Sequence, residues 1–211
     1  MNKFLGLVAL VAAAVVVPAN ATVVYDLTSN HCGVPADCGA PGTIFGNVSL
    51  DQNGTTVDFT VHLNNPPYVY AQTGSVDFML FKFNATGVVL GDITVNQTVA
   101  GQTLAGAVGT FNGDGTGTFG FAIQCTTCGN GIQTFSNNLV FHVANATIAE
   151  LTVPNALGNV FVADIGNSLN GATGPIDAST PHTPVPEPIT SGLVGTGLLA
   201  LAFLRRRTGK A

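Results

Sequence analysis

The sequence predicts an all-β fold: an antiparallel β-sandwich with jelly-roll-like connections, flanked by an N-terminal signal-peptide helix and a C-terminal transmembrane helix. Three observations carry this prediction. Between residues 22 and 166 apolar and polar side chains alternate with period two, and helical periodicity is missing. Clusters of Asn, Gly, Pro and Asp punctuate those runs at the spacing of short strands. An uncharged apolar stretch stands at each end, so the 46% hydrophobic composition overstates the greasiness of the middle.

Residues 1–21 read as a signal peptide. Lys3 supplies the positive start, residues 4–17 are apolar, and Ala19, Asn20 and Ala21 form a small-x-small cleavage site. Fourteen residues of helix rise about 21 Å, short of a hydrocarbon core of roughly 30 Å. Cleavage after Ala21 would leave Thr22 as the new amino terminus.

Eight strands are expected in the domain over 22–166: residues 23–27, 43–50, 56–63, 76–83, 88–95, 116–123, 139–153 and 160–165. The clearest is 56–63, where Val57, Phe59, Val61 and Leu63 face one way and Asp58, Thr60 and His62 the other. Asp51-Gln52-Asn53-Gly54 reads as a hairpin turn, because Asn-Gly accepts positive φ at little cost. Strand 76–83 is apolar on both faces and is expected to be central and covered. Residues 167–184, rich in Gly, Asn, Thr and Pro, read as a flexible stalk. The tail over 185–211 follows, with an uncharged helix over 189–204 that would cross a thin membrane, and Arg205, Arg206 and Arg207 beyond it as a stop.

Charge excludes one class of partner. Five of the six basic residues lie at the ends, leaving Lys82 alone among ten acids between residues 22 and 184. Such a domain has no means of neutralising phosphates, so no nucleic acid is expected. No cofactor or resident metal is expected either.

The exported domain carries four cysteines: Cys32, Cys38, Cys125 and Cys128. In an oxidising compartment an even number reads first as two disulfides. Local pairing of Cys32 with Cys38 and Cys125 with Cys128 is the expected arrangement among three. A four-cysteine zinc site with His31 nearby and a redox-active Cys125/Cys128 pair are the rivals. His-Glu-x-x-His, Gly-x-Ser-x-Gly and phosphate-loop signatures are absent, and no catalytic residue is assigned. Asp58 and His62 share a strand face about 13 Å apart, too far to act together. The glycine-rich 112–117 stretch offers one carboxylate, where calcium wants several, and reads as a plain turn. The chain has no Trp, so a sugar platform would fall to Tyr68 and Tyr70, which share one face after Pro66-Pro67; the rival reading is that they cap the core with their hydroxyls in water.

The order of Val185, Pro186, Glu187 and Pro188, an apolar helix and three arginines resembles the PEP-CTERM sorting signal of Gram-negative bacteria. Proline on both sides of Glu187 keeps that residue extended and out of the following helix. The resemblance implies that exosortase, a membrane-embedded cysteine-dependent transpeptidase, reads Pro-Glu-Pro and releases or transfers the upstream domain. It implies a route through the Sec translocon and signal peptidase to an inner-membrane intermediate, then to the cell surface or extracellular matrix. The stretch from Asp26 to Cys32, with Cys38 and Phe161 to Ile165, also looks like a recurring type among PEP-CTERM proteins of unassigned function. The expected role is a non-enzymatic structural or adhesive protein of a biofilm matrix. The alternatives are a module binding exopolysaccharide and an extracellular hydrolase.

Overall fold

A computed structural model describes residues 21–33, 38–40, 42–72, 79–99, 101–127 and 136–181. The expected signal peptide up to residue 20, Cys128, residues 76–78 and the whole tail from 182, with its expected helix and its arginines, lie outside the described residues. Among the described residues no helix is long and apolar enough to cross a membrane.

The strands in chain order are β1 (Thr22–Leu27), β2 (Ser29–Asn30), β3 (Gly46–Asn53), β4 (Thr56–Leu63), β5 (Tyr68–Tyr70), β6 (Met79–Phe83), β7 (Ile93–Thr94), β8 (Thr98–Val99), β9 (Gln102–Asn112), β10 (Thr118–Cys125), β11 (Leu139–Ala144), β12 (Phe161–Asn167) and β13 (Thr173–Ala178). One helical turn, α1 (Ile148–Leu151), and a 3-10 turn over Leu90–Asp92 complete the described elements. The first sheet has the order β1-β3-β4-β11-β7. The second runs β2-β13-β12-β6-β10-β9-β8, with β5 beside the far end of β12. The pairings are antiparallel throughout.

The two sheets meet face to face through aromatic rings. Phe59 of β4 stacks on its neighbour Phe141 of β11, centroids 4.4 Å apart. Across the interface it meets Phe83 of β6 at 5.6 Å and the edge of Phe161 of β12 at 6.0 Å. Each such contact adds about 0.5–1.5 kcal/mol to the burial of apolar area. Strand β4 behaves as its alternation predicts: Val57, Phe59, Val61 and Leu63 are buried, while Asp58, Thr60 and His62 are half-exposed. Strand β6 lies between β12 and β10 and is buried on both faces, as expected of a central strand.

Several expectations are corrected. The ladder of β3 continues through Asp51 and Gln52 to Asn53, so the turn is Gly54-Thr55 rather than residues 51–54. Gly54, at φ +62°, takes the first central position of this two-residue turn, where a side chain would be strained. Gln52 is held in the strand by its own amide, which donates to the carbonyls of Gly54, Thr56 and Ala146 and accepts the N–H of Ile148. The strand expected over 88–95 is reduced to Ile93–Thr94, preceded by a 3-10 turn over Leu90–Asp92 where the Asp92 carboxylate accepts the Val89 N–H and closes the chain on itself. The run 139–153 breaks after Ala144: Asn145 turns with φ +52°, and α1 follows. Strand β10 starts at Thr118 because Thr116 is buried in the turn, its hydroxyl donating to the Gly113 carbonyl.

The stalk is the largest correction. Residues 173–178 form β13, which pairs with β12 along its length and is buried from Gly174 to Ala178. The domain therefore extends past residue 166. Pro181 makes a further antiparallel bridge to Tyr25 of β1.

Candidate functional site

The polar chemistry inside this domain collects on the face of the second sheet turned away from the first. Along β6 the side chains alternate, so with Phe81 and Phe83 directed at Phe59, Lys82 points to the opposite face. Its ammonium donates to Asp164 of the neighbouring strand β12 at 2.8 Å, and both side chains are buried. In the β6–β12–β13 register, Lys82 stands opposite Val162 and Val162 opposite Asp177. Asp177 in turn faces Ser29 of β2. Two acid–base pairs thus sit on one face, about two strand spacings, or 10 Å, apart.

The second pair is His31 with Asp177. Nε2 of His31 lies 2.8 Å from Asp177 Oδ2 and 3.1 Å from the Ser29 hydroxyl. Burial pushes the Asp177 carboxyl above its ordinary value, against the pull of His31 and Ser29 in the other direction. Serine, histidine and aspartate together raise the question of a nucleophile. In a proton relay, serine and carboxylate hold opposite ring nitrogens, so that one orients the ring while the other surrenders its proton. Here both converge on Nε2, which fits a clamp fastening β2 to β13. Ser29 and Asp177 carry no local sequence signal. They meet only because a strand near residue 29 pairs with one near residue 177.

Cys32 follows this clamp directly and is disulfide-bonded to Cys38, as local pairing predicts. Cys125, at the end of β10, is disulfide-bonded as well. No group of three or more His, Cys, Asp or Glu able to hold a metal ion occurs among the described residues. With both cysteines in disulfides, neither Cys32 nor Cys125 offers the thiolate that zinc requires.

The tyrosine platform is overturned. Tyr68 and Tyr70 are buried, at 7% and 0% exposure, and present no ring face to a sugar. Tyr68 packs its ring edge on Phe45, and Tyr70 donates its hydroxyl to the Val61 carbonyl at 2.7 Å. Strand β5 joins the end of β12 and turns both rings inward. A cavity of about 250 Å³ lies beside this edge, lined by Val69, Asn167, Ser168 and Thr173 among others. It holds no titratable side chain, and the Asn167 amide is already engaged by Cys38 and Leu169 backbone.

Elsewhere among the described residues, acids meet single side chains of neighbouring strands or serve the backbone. Asp58 meets His142 across β4 and β11 at 2.6 Å, while His62 turns to Asn138. Glu150 accepts both the N–H and the hydroxyl of Thr147 at the start of α1, which holds its carboxyl below the ordinary value. Asp114 is exposed on the glycine turn between β9 and β10. With Lys82 buried, no Lys or Arg side chain of the described residues reaches solvent.

Of the sorting residues, Ala21 and Thr22 are described. The Ala21 carbonyl accepts the Gln52 N–H, and the Thr22 hydroxyl donates to Asp51. Ala19, Val185, Pro186, Glu187, Pro188 and the three arginines lie outside the described residues. At the level of sequence, residues 184–207 match the PEP-CTERM protein-sorting motif. The chain therefore carries the signal of an exported protein processed by exosortase. No curated protein and no solved structure matches the chain.

Proposed function

We propose that this exosortase-sorted chain delivers a non-enzymatic structural or adhesive domain to the extracellular matrix of a biofilm-forming Gram-negative bacterium. The carrying observation is the surface: a sorting tail attached to a two-sheet domain whose described exterior bears carboxylates and no Lys or Arg. Such a surface is soluble and repels its own copies at low ionic strength, and divalent cations would bridge it to other anionic matrix polymers. A jelly-roll-like, disulfide-stapled sandwich suits an oxidising exterior, where its cysteines stay paired. The route runs through the Sec translocon and signal peptidase to a tail-anchored intermediate, then to release or transfer at the surface.

Support for a non-enzymatic role comes from the acid–base groups. Ser29 and Asp177 share one nitrogen of His31, and Lys82 is locked to Asp164 in the interior. Neither arrangement leaves a general base poised toward an open cleft.

The test compares producing cells with and without the protein. The expected result is that the domain fractionates with the matrix, that calcium chelation releases it, and that its loss weakens matrix cohesion. Recovery only from the medium, with matrix strength unchanged, would sink the proposal. The same purified protein on a glycan array, with and without calcium, separates the alternatives. Calcium-independent retention on one polysaccharide would favour a binding module, and release of reducing ends would favour a hydrolase.

A further inference from the structure

Four asparagines of the chain are followed by glycine: Asn53, Asn112, Asn130 and Asn170. Such a pair is open to an internal reaction in which the glycine nitrogen attacks the asparagine side-chain carbonyl, because glycine has no side chain to shield that nitrogen. Asn130 lies outside the described residues. The fold treats the other three differently. The Gly113 N–H donates to the Gly117 carbonyl at 2.8 Å, and the Gly113 carbonyl accepts the Thr116 hydroxyl at 2.7 Å, which locks this peptide in its turn. The Gly171 N–H donates to the Asn167 carbonyl at 2.8 Å, and the Asn170 side-chain oxygen accepts the Ala172 N–H at 2.9 Å. The Gly54 N–H has no acceptor among the described residues. Asn53 and Gly54 are both exposed, and a Cβ at Gly54 would meet nothing within 4 Å, so hydroxide and water reach the peptide from outside. Asn53 opposite Thr56 is also the last rung of the β3–β4 ladder. End rungs open at little cost, and opening lets the Asn53–Gly54 peptide rotate out of the extended conformation that keeps its nitrogen away from the side chain.

We propose that Asn53-Gly54 is a self-modification site, converted by water to aspartate and isoaspartate while Asn112 and Asn170 persist. No enzyme is needed. Hydroxide takes the Gly54 N–H proton, the nitrogen bonds to Asn53 Cγ, and the Cγ–Nδ2 bond breaks to release ammonia. Water then opens the resulting cyclic imide. Opening at Cγ gives aspartate, and opening at the main-chain carbonyl gives isoaspartate, whose chain runs through Cβ and is one atom longer. The aspartate product adds a carboxylate to the face of β3 that holds Asp51, about 7 Å along the strand. The isoaspartate product lengthens the turn that Gln52 braces through the Gly54 carbonyl and ties to Ala146 and Ile148, so it loosens the hairpin from α1. An exported chain is beyond intracellular turnover, and the products accumulate with its time outside.

The test ages the protein recovered from producing cells in neutral and in mildly alkaline buffer. Chymotryptic peptides bearing each asparagine are then followed by mass and elution. Position 53 is expected to gain about 1 Da several-fold faster than positions 112 and 170, and to split into two products of equal mass. The alkaline buffer should speed it. Conversion of Asn112 or Asn170 at an equal or faster rate overturns the site, as does an Asn53 that stays intact. Asn53→Gln should abolish the fast mass gain in its peptide; a gain that continues there would overturn the assignment. The same chain, reduced and held in urea, loses whatever discrimination the fold supplies, and the three positions should then convert at similar rates. A preference for position 53 that survives in urea would place its cause in the local sequence and overturn the role of the end rung and of the bonded glycine nitrogens.

Discussion

Lys82 Nζ and Asp164 Oδ2 stand 2.8 Å apart on neighbouring central strands, with 1% and 0% of their side chains exposed. The one basic residue of the exported domain is thus spent in its interior. Removing one partner from such a pair strands a charge at low dielectric, while removing both exchanges the pair for packing. Lys82→Met is expected to destabilise the domain by about 3–5 kcal/mol, and Lys82→Met with Asp164→Leu to recover most of that loss. Urea unfolding of the three proteins checks it. A double variant no more stable than the single would show that the pair itself sustains the fold.

The Cys32–Cys38 disulfide closes a loop of six-residue separation beside the β2–β13 clamp. Chain-entropy arguments give such a loop about 2 kcal/mol. Replacing both cysteines by serine should lower Tm by about 4–8 °C in a domain of this size. Calorimetry reads the shift, and an unchanged Tm would mean that the clamp alone orders the segment.

Gly174 is required by close approach. A Cβ there would collide with Cys32 Cα and stand 2.9 Å from Cys32 N and 3.0 Å from the His31 carbonyl oxygen. Those are backbone atoms and cannot rotate aside. Gly174→Ala is therefore expected to push β2 off β13 and to destabilise by about 1–3 kcal/mol, the usual range for overpacking. Faster amide exchange at His31 and Gly33, whose N–H groups bond β13 carbonyls, would locate the damage.

Asp177 makes stability depend on pH with a definite sign. Burial raises its carboxyl above the ordinary value of 3.8, so the folded chain holds this proton to higher pH than the unfolded chain. Its contribution is fully present below the ordinary value and is lost as pH rises through the folded one. Wild type should accordingly lose stability relative to Asp177→Asn as pH is raised from about 3.8 into the folded titration range. Urea midpoints across an acid pH series test this. A wild type that gains on the variant over that range would reverse the assignment.

The parts legible in the sequence are those with contrast along the chain. Strand β4 shows its alternation because one face is covered and the other is wet. The sorting tail shows itself because proline, an apolar run and arginines follow one another in order. Where contrast fails, the elements went unseen. Strand β9 is an eleven-residue strand built largely of Gly, Ala, Thr and Gln, and it becomes a strand by pairing with β10 along its length. Strand β13 contains Gly174 and Pro175, which suggested a stalk. It is covered on both faces beside β12, so no alternation was there to read.

By itself, then, the sequence determined the fold class, the export signal and the local Cys32–Cys38 bond, because each depends on residues close together in the chain. Tertiary structure alone decided that His31 meets Asp177 across 146 positions, that Tyr68 and Tyr70 face inward, and that Pro181 returns to Tyr25. These depend on which strands become neighbours, and antiparallel pairing between distant segments leaves no mark on either segment read alone.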